Sequence, residues 1–124
     1  MKLISWNLRG LNSPVKYIMM KNMIQQQKPH IFFMQETKCN SNTIGTILVK
    51  VWPRSQSLVV DALGASGGLA IAWDTQAISL TNFHVNHNLI QATFHIIGTN
   101  IHGHLTNKYF PQDGVNKLAL LSTI

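Results

Sequence analysis

The segment IFFMQETK, residues 31–38, predicts a buried β-strand that ends in a charged segment. Its first four residues are apolar, which is typical of a strand covered on both faces. The strand then runs directly into Glu36 and Lys38. A carboxylate at this position calls for a physical explanation, because the chain has only four acidic residues: Glu36, Asp61, Asp74 and Asp113.

The residues before this strand predict a shorter strand and a helix. KLISW, residues 2–6, is typical of a strand that ends at Trp6 and Asn7. Ser13 and Pro14 form a helix-start signal, since the hydroxyl can accept from free N–H groups and proline suits the first helical position. The helix is expected over residues 14–27, with an apolar face formed by Val15, Ile18, Met19, Met23 and Ile24. A strand–helix–strand order indicates a parallel pair of strands.

The rest of the chain predicts one further helix followed by short strands. Apolar residues at positions 44, 47, 48 and 51 indicate a helix that contains Gly45. Strands are expected over 57–63, 69–73, 77–85, 89–97 and 101–110, separated by tight turns, which is the pattern of an antiparallel meander. VNKLALLSTI, residues 115–124, is interpreted as the start of an apolar helix.

Length and charge limit the class of protein. The 124 residues suffice for one domain with a core, and 45% of them are hydrophobic, as in globular proteins. The net charge of +6 favours a polyanionic partner, with DNA first among the candidates. No run of residues is long and apolar enough to predict a membrane span or a signal peptide, so an intracellular location, cytoplasm or nucleus, is expected. The single cysteine, Cys39, fits a reducing compartment.

Two polar residues stand where the first two strands end. If those strands are parallel neighbours, Asn7 and Glu36 emerge at the same edge of the sheet, where open α/β sheets bind ligands. Carboxylate and amide oxygens suit a hard cation such as Mg²⁺. The structural alternative is that Glu36 is a solvated loop residue paired with Lys38.

Four ordered motifs resemble the endonuclease/exonuclease/phosphatase superfamily, and most closely the endonuclease of plant non-LTR (LINE-type) retrotransposons and its exonuclease III-like relatives. SWNLRGLNSPVK is followed, after a helix of matching length, by KPHIFFMQETK. GASGGLAIAWD resembles the family's Ser-Gly-Gly-Leu strand, and LTNKYFP resembles its Asn-x-Tyr-x-Pro segment.

The resemblance implies a fold, a cofactor and residue roles. The fold would be a mixed α/β (α+β) one, part of a four-layer α/β/β/α sandwich. Glu36 would bind Mg²⁺ or Mn²⁺ and Asn7 would orient the metal and the scissile phosphate. Tyr109 would hydrogen-bond the phosphate, with Lys38 as a nearby positive charge. The implied reaction is metal-assisted hydrolysis of a phosphodiester.

The sequence also departs from the family pattern. Arg9 stands where repair enzymes tend to carry an acidic residue, which favours the retrotransposon branch. On either side of Pro111, Phe110 and Gln112 replace the glycine and the asparagine that are usual in the family. The family's domain is about twice this length, and its later Asp-x-Asn, Asp and Asp-His residues have no counterpart here. We therefore expect residues 1–124 to form a single truncated domain, the N-terminal half, with little or no nuclease activity alone. An exposed inner sheet face would then promote association.

Other interpretations of the sequence remain open. The chain could be a non-catalytic nucleic-acid-binding remnant, or a relative that acts as a phosphoinositide or lipid phosphatase. Cys39 could be a nucleophile, although no base is defined for it. A zinc site is a further possibility, although no cysteine or carboxylate accompanies the histidines at a fixed spacing. The histidines concerned are His84, His87, His95, His102 and His104.

Overall fold

A computed structural model describes residues 1–63, 67–108 and 118–122, the last group for the backbone only. In chain order the elements are β1 (Lys2–Asn7), α1 (Pro14–Gln27), β2 (Ile31–Gln35), α2 (Ser41–Val51), β3 (Ser55–Val60), β4 (Leu69–Asp74), β5 (Ile78–Asn86), β6 (Leu89–Ile96), β7 (His102–Lys108) and β8 (Leu118–Ser122). One sheet has the strand order β3-β4-β2-β1-β8, and the other has the order β5-β6-β7.

The strand β2 lies at the centre of the five-stranded sheet. It pairs in parallel with β1 and antiparallel with β4, and α1 makes the crossover that a parallel pair requires. Ile31, Phe32 and Met34 are completely buried, and Phe33 is 7% exposed. The prediction of a strand covered on both faces is confirmed.

The two faces of this sheet pack against different layers. On the helix-side face, Ile4, Trp6, Phe32 and Met34 pack with residues of α1 and α2. On the inter-sheet face, residues of alternate parity such as Leu3, Phe33 and Ile71 pack with the inner side of the β5-β6-β7 sheet. The described residues thus form a helix layer and two sheets, in agreement with the expected α/β sandwich.

The helix α1 begins and ends as its sequence predicts. The Oγ of Ser13 accepts a hydrogen bond from Lys16 N at 3.1 Å, and the chain turns at Lys28 with a φ of 47°. The predicted apolar face is wrong in part: Met20 and Ile24 are buried, whereas Val15, Ile18 and Met19 are exposed. Because α1 carries apolar residues on several of its faces, their spacing alone does not predict which face packs against the sheet.

The predicted meander is divided between the two sheets. β3 and β4 form a hairpin that extends the five-stranded sheet, and only β5, β6 and β7 form a separate antiparallel sheet. β4 packs against both neighbouring layers. Its small residues, Ala70 and Ala72, face the helices, and Leu69, Ile71 and Trp73 face the second sheet. β3 also ends at Val60, earlier than the predicted boundary.

The predicted C-terminal helix is wrong where the structure describes it. Residues 118–122 form β8, which pairs antiparallel with β1 from Lys2↔Ser122 to Trp6↔Leu118. A short apolar run does not distinguish a helix from a strand by its periodicity, and β1 offers an edge with free backbone groups for pairing. Residues 115–117, 123 and 124 of the predicted helix lie outside the described residues.

The expected exposure of the inner sheet face is also wrong for the described residues. Phe33, Ile71, Ile78 and Ile90 are buried, because the inner faces of the two sheets cover each other. Neither α1 nor α2 has the length and apolar character needed to cross a bilayer.

Candidate functional site

The two predicted metal ligands lie at the same edge of the five-stranded sheet. Asn7 is the last residue of β1 and is paired in register with Gln35, so Glu36 follows one residue beyond that partner. Asn7 is only 6% exposed and shares the parity of Leu3, which places it on the inter-sheet face. Glu36 is half-buried. The shared edge that the sequence predicts is therefore present.

The backbone around Glu36 is held on both sides. On one side, Gly10 N donates to Glu36 O at 2.8 Å and Leu11 N donates to Thr37 O at 2.9 Å. On the other side, Thr37 N donates to Gly68 O at 3.2 Å. Glu36 itself adopts a φ of 50°, a left-handed conformation that a non-glycine residue keeps only when its surroundings impose it. The loop is therefore fixed where the candidate ligand stands.

A buried polar network lies beside this edge, between the two sheets. Gln35 Nε2 donates to Asn107 Oδ1 at 2.7 Å and to Ser5 Oγ at 2.9 Å. Asn107 is 1% exposed, and its Nδ2 donates to Ala70 O at 2.8 Å and to Met34 O at 3.3 Å. These bonds attach the end of β7 to the central strands, at the edge where Asn7 lies.

Sequence reasoning assigned no role to Asn107 or to the Gln35 side chain. Two signals could have indicated them. Gln35 is a polar residue in an otherwise apolar strand, and Asn107 is the first residue of the NKYFP segment that carries Tyr109. Tyr109 itself lies outside the described residues, as do Phe110, Gln112 and Asp113.

Three cationic side chains surround the loops at this edge. Lys16 Nζ donates to Leu8 O and lies 5.6 Å from the centre of the Trp6 ring. Burial lowers the pKa of Lys16, and the positive charge of Arg9 lowers it further. Lys38 is exposed, with its stem beside Gly10. Sequence reasoning missed Lys16, which packs here because the first turn of α1 lies against the end of β1.

The other described carboxylates have structural roles: Asp61 lies at the same end of the sheet as Glu36 but two strands away, and Asp74 lies at the opposite end. Asp61 accepts from Ser41 N at 2.7 Å, at the beginning of α2. Asp74 lies 3.4 Å from Arg54 in an ion pair and also accepts from Gln76 N. Their exclusion, on sequence grounds, from the catalytic roles that the family resemblance implies stays a prediction.

The donor chemistry at the edge fits a hard cation only in part. Asn7 and Glu36 supply amide and carboxylate oxygens, which Mg²⁺ and Mn²⁺ prefer, and Mg²⁺ keeps several waters. Within residues 1–63 and 67–108, no three His, Cys, Asp or Glu side chains form a group that could hold a metal ion. The same finding gives no support to the zinc alternative. Asn7 and Glu36 would therefore supply only part of a cation site, and their role as metal ligands stays a prediction.

Cys39 is poorly suited to act as a nucleophile. The residue is buried, and its Sγ donates to Asn12 Oδ1 at 3.1 Å. Burial raises the pKa of the Cys39 thiol, and a backbone hydrogen bond from Leu11 opposes this only in part. The thiolate, which is the reactive form, is thus disfavoured at neutral pH.

We expect Cys39 to react with iodoacetamide at least about tenfold more slowly in the folded protein than in urea, because the thiol is protonated and covered. Mass spectrometry of the alkylated chain over time measures both rates at the same pH. Equal rates in the two states would show that the thiol is accessible and would reinstate it as a candidate nucleophile.

Comparison with solved structures identifies the fold. The chain resembles the human Nocturnin catalytic domain with a TM-score of 0.67 and 14% sequence identity, over 86% of this chain and 48% of that one. It resembles the 3′ phosphatase NExo from Neisseria, bound to a product DNA hairpin, with a TM-score of 0.65 and 19% identity, over 88% of this chain and 41% of that one. For the AP endonuclease from Leishmania major the TM-score is 0.66 and the identity 14%, over 92% of this chain and 41% of that one.

These structures are members of the endonuclease/exonuclease/phosphatase superfamily. At such low identity the likeness shows a shared fold, and the present chain spans less than half the length of each of the three. No family model matches the chain. No curated protein matches it either.

Proposed function

We propose that this chain is part of a Mg²⁺- or Mn²⁺-dependent endonuclease of the retrotransposon type, which cleaves phosphodiester bonds in DNA. The observation that carries the proposal is the position of Asn7 and Glu36 at the ends of two parallel, paired strands. The backbone bonds on both sides of the Glu36 loop support it, because a metal ligand must be held rigidly to fix the geometry of a reacting phosphate.

In this proposal the residues at the edge either hold the metal ion or interact with the phosphates. Glu36 and Asn7 hold the cation through their side-chain oxygens. The bound cation would act as a Lewis acid that stabilises negative charge on the phosphate oxygens. Arg9, Lys16 and Lys38 favour the approach of a polyanion, since three positive charges lie around the same loops. Tyr109 would donate a hydrogen bond to the phosphate, and Asn107, two residues before it in the sequence, contacts Gln35 at this edge.

DNA is the proposed partner on two independent grounds. The net charge of +6 favours binding to a phosphate backbone. Among the proteins that share the fold, NExo was solved with a DNA hairpin product.

We also propose that residues 1–124 cleave DNA slowly or not at all by themselves. The described residues offer one carboxylate on the strand that pairs with β1, and no group of three metal-binding side chains. A missing general base alone commonly costs about 10²–10⁴-fold in rate.

A second candidate function is nucleic-acid binding without catalysis. The observation that favours it is the excess of positive side chains over metal-binding groups at the candidate edge. This alternative predicts salt-dependent DNA binding that does not change when a divalent cation is added.

The two candidates are distinguished by titrating the 124-residue chain with Mn²⁺ and recording NMR spectra. Our proposal predicts selective paramagnetic broadening of the backbone amides of Asn7, Gln35 and Glu36, with little plasmid nicking by the isolated chain. If these amides show no broadening while salt-dependent DNA binding persists, the metal site is rejected and the non-catalytic function is favoured.

A further inference from the structure

A side-chain bridge joins the two sheets at the candidate catalytic edge. Gln35 is the last residue of β2, and Asn107 is the next-to-last residue of β7. Gln35 Nε2 lies 2.7 Å from Asn107 Oδ1, although 72 residues separate the two in sequence. A bond between the sheets therefore ends on the residue that directly precedes Glu36.

The hydrogen bonds of Asn107 determine how both amides of this bridge are oriented. Asn107 Nδ2 donates to Ala70 O and to Met34 O, and a backbone carbonyl can only accept a hydrogen bond. The oxygen of Asn107 must therefore face Gln35, whose nitrogen acts as the donor. The other hydrogen of Gln35 Nε2 is donated to Ser5 Oγ at 2.9 Å. Each amide is thus held in one orientation.

Asn107 is a polar residue in an otherwise apolar layer. It is 1% exposed and has the same inward parity on β7 as Leu105, which belongs to the core between the sheets. A buried amide costs stability unless its groups are paired, and a pair of apolar side chains of the same shape can be as stable as a bonded polar pair. Packing alone therefore does not require an amide here. The bonded pair adds a fixed orientation that an apolar contact would not supply.

The backbone needs such a restraint where β2 ends. Gln35 is still paired in register with Asn7, whereas Glu36 has a φ of 50°. A left-handed conformation at a non-glycine residue persists only when its surroundings hold it. On the side of β1, Leu8 N donates to Gln35 O at 2.9 Å. On the side of the second sheet, the side chain of Gln35 is held by Asn107.

We propose that Asn107 is a positioning residue for the cation site: by holding the side chain of Gln35, it fixes the end of β2 so that Glu36 and Asn7 can bind the same Mg²⁺ or Mn²⁺. This inference rests on the proposed function, because it assigns a role toward the same cation. Asn107 acts through Gln35 and needs no contact with the metal ion or with DNA. Groups that only orient metal ligands typically account for about 10–100-fold in affinity or activity.

The alternative is that the bridge only stabilises the packing of the two sheets. A variant that loosens β7 without breaking the bridge distinguishes the two roles. Leu105 lies two residues before Asn107 on the same strand and is 8% exposed in the core between the sheets. Leu105→Ala removes core contacts of β7 and leaves the bond from Gln35 to Asn107 in place. It is therefore the matched control for Asn107→Ala, and urea unfolding compares the stability of the two variants.

The test measures the Kd for Mn²⁺ from the paramagnetic broadening of the Asn7 and Glu36 amides in the 124-residue chain. We expect Asn107→Ala and Gln35→Met each to raise this Kd by about 10–100-fold, and Leu105→Ala to leave it close to that of the unchanged chain. The double variant Q35M/N107A should bind Mn²⁺ no more weakly than the weaker single variant, because both substitutions remove one contact. Gln35→Met leaves Asn107 bonded to both carbonyls, so it tests the proposal even if Asn107→Ala does not fold.

Amide hydrogen exchange gives a second readout, in the absence of any metal ion. Thr37 N donates to Gly68 O at 3.2 Å and Lys38 N donates to Gly67 O at 2.9 Å, so both amides are protected while the loop is held. Loss of the bridge should speed exchange at these two amides more than in the rest of the sheet. Leu105→Ala should not single them out.

The possible failures can be told apart. An unchanged Kd for Mn²⁺ in Asn107→Ala and Gln35→Met overturns the role of Asn107 and leaves the proposed function standing. If Leu105→Ala raises the Kd as much as Asn107→Ala does, the effect comes from loosening of β7 and the positioning role is overturned. If the unchanged chain shows no broadening at Asn7 and Glu36, the proposed function is overturned and this inference with it.

Discussion

Replacing Glu36 by glutamine is expected to slow metal-dependent DNA cleavage by at least about a hundredfold. The protein for this test joins residues 1–124 to the second half of a relative that cleaves DNA. The substitution keeps the size of the side chain and replaces a charged oxygen ligand by a neutral amide. Loss of groups that only orient metal ligands costs about 10–100-fold in affinity or activity, and loss of a ligand should cost more. In the 124-residue chain the same substitution should abolish the Mn²⁺ broadening at Asn7 and Gln35.

Asp61→Asn is the matched control for this experiment. It removes the same charge from an exposed residue that binds Ser41 N at the beginning of α2, at the same end of the sheet but two strands away from Glu36. Nicking of supercoiled plasmid over a series of Mg²⁺ concentrations should leave this control close to the unchanged protein. If Glu36→Gln nicks DNA as fast as Asp61→Asn at low Mg²⁺, then Glu36 does not bind the metal and the proposed site is wrong.

Replacing Gly68 by alanine is expected to destabilise the protein by about 3 kcal/mol and to displace the Glu36 loop. Gly68 is buried with a φ of 94°, a conformation that L side chains rarely adopt. A Cβ at this position would lie 2.3 Å from Thr37 Oγ1 and 3.2 Å from Lys38 N. Thr37 is completely buried, so it has little room to move away.

Gly67→Ala separates the cost of the backbone conformation from the cost of the contact with Thr37. Gly67 also has a positive φ, 75°, but a Cβ there would meet nothing within 4 Å. We expect this variant to lose only the conformational term, about 1 kcal/mol. Urea unfolding measures both free energies, and amide NMR shifts of residues 36–38 report the loop. Equal losses for the two glycines would show that the contact with Thr37 is relieved without cost.

The beginning of the chain was predictable because several local signals agree there. The Ser13–Pro14 start, the stop before Pro29 and the apolar run from Ile31 each indicate the same strand–helix–strand unit. That unit alone places Asn7 and Glu36 at one edge of a sheet. Its register, Asn7↔Gln35, confirms the placement, whereas their roles in metal binding stay a prediction.

Other features depend on contacts between distant residues, which local signals do not encode. The strand β8 forms because β1 offers it a partner, and nothing in the sequence LALLS distinguishes it from a helix. The side of α1 that is buried depends on where the sheet lies. Asn107 acquires its role only when β7 packs over the end of β2, 72 residues away from Gln35 in sequence.

The pairing of β1 with β8 has a consequence for how the chain folds during synthesis. Lys2 is joined to Ser122 across the sheet, so β1 leaves the ribosome long before this neighbour exists. The β5-β6-β7 hairpins join residues that are close in sequence and can form early, whereas pairings between distant residues form slowly. Until residues 118–122 arrive, one side of β1 is unpaired, and an unpaired strand edge can pair with a strand of another nascent chain.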